Sequence, residues 1–114
     1  RKTNTGSDLM QLDKLQELVF VECCKNGYTQ MWNDAGKLGD IAELGLVTTE
    51  IAEALEELGL KQKTVDSEHL AEECADIIIR VLNFMSRKGL NAEIAIFKKH
   101  QKNMERPYLH GKDV

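Results

Sequence analysis

The chain has 114 residues, enough for one domain with a modest hydrophobic core. One proline and many Ala, Leu, Glu and Lys residues favour helix, and aromatic and β-branched residues are too sparse for a sheet protein. A formal net charge of −4 at pH 7 argues against a general nucleic-acid binder, which is usually basic.

The sequence opens on Arg1 rather than Met, so residues 1–7 read as a tag remnant or a disordered N-terminus. Residues 8–107 are expected to form one helical domain, and 108–114 a C-terminal tail. A first helix is predicted over 8–26, because Leu12, Leu15 and Val19 step by three and four and Gly27 suits a C-terminal stop. Residues 27–39, with three glycines and the turn pair Asn33-Asp34, read as a loop. Asp40-Ile-Ala-Glu43 matches a capping box and starts a second helix. Along it Ile41, Leu44, Thr48, Ile51, Leu55 and Leu58 form a stripe, and Gly59 stands where a closing glycine belongs. After a polar connection over 60–66, Asp66 or Ser67 caps a third helix of about 67–88. Asn91 caps a fourth, about 92–105, which Pro107 stops.

Helices joined by short loops imply an all-α, four- to five-helix bundle with antiparallel helices. The third helix is apolar around most of its circumference, from Ile77 to Met85, so the core is expected to be completed by dimerisation. Cys23, Cys24 and Cys74 are odd in number and show no metal-ligand spacing. They read as reduced thiols of a cytoplasmic protein. No signal peptide is visible, and no apolar run approaches the ~20 residues of a membrane span, so no membrane association is expected.

Carboxylates carry the chemistry. Glu50, Glu53 and Glu57 share one row of the second helix. On the third helix Glu73, Asp76, Arg80 and Asn83 form a polar strip in an otherwise apolar segment. Glutamate rows are normally solvated, and Glu56 and Glu57 are read so. Glu73 and Asp76 are different, because like charges in a core-like helix are costly without a cation or hydrogen bonds. Arg80 could neutralise one of them. A divalent cation between the two acidic rows would also turn their repulsion into attraction. Such oxygen donors suit Mg²⁺, with Mn²⁺ possible, rather than zinc.

Glu50-Ile-Ala-Glu53, nineteen residues, then Glu73-Cys-Ala-Asp76 resembles the ExxE…ExxD motif of the MazG-like, all-α NTP pyrophosphatase superfamily. Lys99-His-Gln-Lys-Asn103-Met-Glu-Arg106 resembles that family's KxxxNxxR segment, and Arg106 to Lys112 its tail, so the resemblance spans roughly 38–112. It implies a Mg²⁺-dependent enzyme that cleaves a nucleoside triphosphate to the monophosphate and pyrophosphate in nucleotide-pool housekeeping. Glu50, Glu53, Glu73 and Asp76 match the metal ligands, and Lys99, Asn103 and Arg106 match phosphate-contacting positions. The family's assemblies imply a homodimer or a dimer-of-dimers tetramer. Glu53 and Glu73 are the catalytic candidates, with Glu53 the candidate to orient or deprotonate the attacking water. Trp32, Asn83 and Phe84 are candidates for base or sugar contacts, although core packing suits Phe84 better. A phosphoribosyl-ATP pyrophosphohydrolase, a dUTPase-like relative and a non-catalytic dimeric helical adaptor remain open.

Overall fold

A computed structural model describes residues 11–60 and 64–107. The segments expected as a disordered start and a tail, 1–7 and 108–114, lie outside the described residues, as do the first three residues of the domain, 8–10. All regular elements among the described residues are helical: α1 (Leu12–Lys25), α2 (Tyr28–Asp34), α3 (Lys37–Leu55), α4 (Ser67–Arg87) and α5 (Ala92–Met104). A wider π turn, Glu56–Leu60, continues α3 to Gly59, whose φ is 128°.

Two local expectations need correction. The stretch 27–39 is no loop. Gly27 and Gly36, at φ of 82° and 60°, bracket α2, so these glycines mark helix boundaries. Nor do Asp40 and Glu43 form a capping box. Helix α3 starts earlier, at Lys37, and both side chains reach across to α4 instead. Gly39 permits this early start. A Cβ there would lie 2.0 Å from the Trp32 carbonyl oxygen, so only glycine lets α3 pass so close to α2. The caps of the later helices do form. Asp66 accepts from the backbone N–H groups of Glu68 and His69, and Asn91 accepts from Ile94.

Helices α3 and α4 make the main packing pair, with α1 against α4, α2 against α3 and α5 against α1. Gln16 ties α1 to the α4–α5 turn. Its amide donates to Ser86 Oγ at 3.0 Å and the Leu90 carbonyl at 2.8 Å, and accepts from the Ala92 N–H at 2.9 Å.

The α3–α4 seam is polar. Positions 43, 50 and 57 recur every seven residues, and so do 73, 80 and 87. These rows face each other, and the apolar stripe of α3 faces away. Glu43, Glu57, Glu73 and Asn83 are buried, whereas Ile41, Leu44, Ile51, Leu55 and Leu58 are exposed. Among the described apolar residues only Ala54, Leu82 and Ala92 are buried. The hydrophobic term that usually dominates folding is therefore small within one copy. Glu57, expected at the surface, instead accepts from the Asp66 N–H at 3.2 Å and lies 3.6 Å from His69 Nε2. No described helix is long and apolar enough to cross a membrane.

Candidate metal centre and adjoining cleft

Each candidate side chain takes its place from the helical rows. Glu50 and Glu53 sit a turn apart on α3, opposite Glu73 and Asp76 on α4. Carboxylate oxygens of Glu50, Glu73 and Asp76 lie within 4.8 Å of one another. Donors around Mg²⁺ at about 2.1 Å are at most about 4.2 Å apart, so these three could close on one ion with a shift of a fraction of an ångström. Glu53 is not among the three, but its carboxylate acts on its neighbour. Burial and the Glu53 charge push the Glu73 pKa up, His69 opposes them, and Asp76 adds to the rise.

Among the described residues the cations nearby are few and committed. Arg80 Nε donates to Glu50 Oε1 at 2.9 Å, so it partners α3 rather than the Glu73–Asp76 pair that the sequence suggested. His69 Nε2 lies 3.1 Å from Glu73 Oε1. Among the described residues, four carboxylates thus meet one guanidinium and one imidazole.

A cleft of about 320 Å³ opens beside the trio, and Glu50, Asp76, Arg80, Trp32 and Asn83 line it. Two of the three base or sugar candidates are therefore in its wall. Phe84 is not. Its ring packs 5.7 Å below the Arg87 guanidinium, in keeping with the simpler packing role. Lys99, Asn103 and Arg106 are exposed on or just beyond α5 and line none of the described clefts. None of those clefts brings the phosphate candidates and the carboxylates together.

The cleft also uses residues that the motif reading passed over. Tyr28 stands at its rim, and Cys23 and Glu43 lie in its wall. Burial and the Glu43 charge push the Cys23 thiol up, which keeps it protonated and a poor nucleophile. Glu43 accepts from Asn83 Nδ2 at 2.6 Å and from Arg87 Nε at 2.8 Å. Arg87 also donates to Asp40 at 2.9 Å and to Asn33 Oδ1 at 2.8 Å, and Lys88 Nζ reaches Asp40 at 2.7 Å. Burial opposes the charge on Arg87, but its hydrogen bonds to Glu43 and Asp40 outweigh that cost and hold its pKa above the ordinary value. The sevenfold spacing of Glu43, Glu50 and Glu57 against Glu73, Arg80 and Arg87 was the sequence signal for this network.

Compared with known protein families, curated proteins and solved structures, the chain matches none.

Proposed function

We propose that the chain is a Mg²⁺-dependent nucleoside triphosphate pyrophosphohydrolase of the MazG-like kind, which converts (d)NTP to (d)NMP and pyrophosphate in the cytoplasmic nucleotide pool. One observation carries this reading. The oxygens of Glu50, Glu73 and Asp76 converge within 4.8 Å at the edge of a cleft that also holds Trp32 and Asn83. An acid excess of this kind lowers its own repulsion by taking a divalent cation.

In this reading Glu50, Glu73 and Asp76 hold the metal with Glu53 in support. A metal held there would supply charge neutralisation and a water of lowered pKa. Glu53, beside the trio, orients that water or takes its proton, and Glu73 shares the catalytic work by fixing Glu53. Trp32 offers an aromatic face to the base.

Arg80 is the only cation in the described cleft lining, and Glu50 occupies it. The cations for the triphosphate must therefore come from elsewhere. We assign them to Lys99 and Arg106, with Asn103, of a second copy in an antiparallel-helix homodimer or a tetramer of two such dimers. The exposed stripe of Ile41, Leu44, Ile51 and Leu55 is the surface that dimer would bury. Replacing Leu44 and Leu55 with Glu is expected to yield monomers in light scattering and to abolish activity. Dimers that persist in that variant would remove the stripe from the interface.

The direct test is a panel of ribo- and deoxynucleoside triphosphates with Mg²⁺, read by pyrophosphate release. Turnover is expected for at least one nucleotide, and Asp76→Asn should lower it by at least about a hundredfold. Full activity in that variant would remove Asp76 from the metal site. The same apolar stripe also suits a non-catalytic helical adaptor. A melt with Mg²⁺ and nucleotide separates the two readings, since a binding site raises Tm by mass action and an adaptor's solvated acidic row does not.

A further inference from the structure

Asn83 is 2 % exposed and lines the cleft, and its two amide atoms are treated unequally. Nδ2 donates to Glu43 Oε2 at 2.6 Å, whereas Oδ1 is buried with no hydrogen-bond partner. A buried acceptor left unpaired costs stability, and a donor that reaches it recovers that cost. The amide cannot simply turn over. Glu43 is ion-paired with Arg87 Nε at 2.8 Å, and a carboxylate in such a pair offers acceptors alone. The reverse orientation would set Asn83 Oδ1 against Glu43 Oε2. Arg87, with a side chain 1 % exposed, thus fixes Glu43, and Glu43 fixes which end of the Asn83 amide is left over.

That leftover acceptor belongs to a residue that lines the cleft together with Trp32, whose aromatic side chain can stack on a flat ring. At about 320 Å³ the cleft is at the small end of ligand cavities. We propose that the cleft selects heteroaromatic bases presenting an N–H donor to Asn83 Oδ1, with Glu43 as the positioning residue that sets this polarity. The proposal rests on the nucleotide reading above and names the feature of the base that the site reads. Because Oδ1 is buried, entry of the base has to uncover it through a shift of the cleft wall.

Glu43→Gln tests the mechanism, because it reverses the polarity with almost no change in shape. Arg87 can only donate, so the new side chain keeps its oxygen on Arg87 and turns its NH₂ toward Asn83. Asn83 must then rotate, with Oδ1 toward that NH₂ and Nδ2 toward the cleft. The cleft changes from acceptor to donor. Cytosine and uracil, like adenine and guanine, carry opposite donor and acceptor patterns at the same edge, so the preferred member of a pair should switch.

The probes are the α,β-methylene triphosphates of these four nucleosides, together with forms methylated at the N–H of the base edge. Binding is read by the fluorescence of Trp32, the only tryptophan in the chain. The wild type is expected to prefer one member of a pair and to lose affinity on the order of tenfold when its N–H is methylated. In Glu43→Gln the preference is expected to reverse. The same preference in both proteins, no loss on methylation, or no response to any of the four bases would overturn the proposal. If Glu43→Gln does not fold, the methylated bases decide it on the wild type alone. The methylene analogues cannot be cleaved, so base selectivity and hydrolysis fail separately. Selective binding without pyrophosphate release from natural triphosphates would sink the hydrolase reading and leave this one standing.

Discussion

The two ends of the α3–α4 seam are built alike and balanced differently. At one end Asp40 and Glu43 meet Arg87, Lys88 and Asn83, and every bond is between 2.6 and 2.9 Å. At the other end Glu50, Glu53, Glu73 and Asp76 meet Arg80 and His69. The first end is neutralised by the chain itself and acts as a clamp. Among the described residues, the second keeps surplus negative charge beside a cleft. Burying acid is costly in both places, and among the described residues only the clamp has enough cations to offset it. The proposed metal site rests on this difference. A surplus that the fold does not cancel is available to a ligand that does.

Removing the clamp's central cation should break the comparison most severely. Arg87→Met leaves Glu43 buried without its ion-pair partner and is expected to lose about 3–5 kcal/mol in urea denaturation. The matching change at the other end, Arg80→Met, removes a side chain that is 36 % exposed. It should cost about 1 kcal/mol or less, and it should tighten Mg²⁺ binding by releasing Glu50. Equal losses in the two variants would mean that the ends are energetically alike.

A smaller effect with the opposite sign is expected from Glu73→Gln. With a chelator present the variant should melt above the wild type, because one of the crowded charges is gone. Added Mg²⁺ should then raise the wild-type Tm and leave the variant's unchanged. A variant less stable than the metal-free wild type would show that Glu73 is held by structural bonds rather than crowded by charge.

The smallest expected effects are in the pH dependence, where the two ends should slope in opposite directions. Hydrogen bonds from Lys88 and Arg87 hold the Asp40 carboxyl below its usual range. Its contribution is present above the ordinary aspartate range and is lost as pH falls through the lowered value. Glu73 is pushed up by burial and by Glu53, so its contribution is present at low pH and lost as pH rises through the raised value. In metal-free protein Asp40→Asn should flatten the acid limb of the stability curve, and Glu73→Gln should remove a decline at higher pH. Parallel changes in the two variants would contradict the contrast.

Much of the architecture was legible in local sequence. Asp66 and Asn91 cap helices by bonding to N–H groups two or three residues on, so composition and spacing suffice to find them. The rows of Glu50 and Glu53, and of Glu73 and Asp76, follow from helical periodicity once the helices are known. Partner choice was not legible. Asp40 and Glu43 satisfy a capping pattern locally, yet Arg87 and Lys88, more than forty residues away in sequence, take both side chains. Glu57 reads as a surface residue because its exposure depends on how the chain returns at Asp66. Helix α2 was hidden because Gly27, Gly36 and the Asn33-Asp34 pair are turn formers, and only the backbone shows that they bracket a helix. The proposed role of Lys99, Asn103 and Arg106 needs a second copy, which spacing within one chain does not encode.

The most direct measurement is a Mn²⁺ titration followed by paramagnetic resonance of the free ion, on the wild type, Asp76→Asn and Asp40→Asn. Saturable binding is expected in the wild type, with Asp40→Asn unchanged and Asp76→Asn weakened by at least about tenfold, because among the described residues only one end of the seam carries uncancelled charge. Equal binding in all three proteins, or loss in Asp40→Asn alone, would contradict the assignment of the metal to Glu50, Glu73 and Asp76.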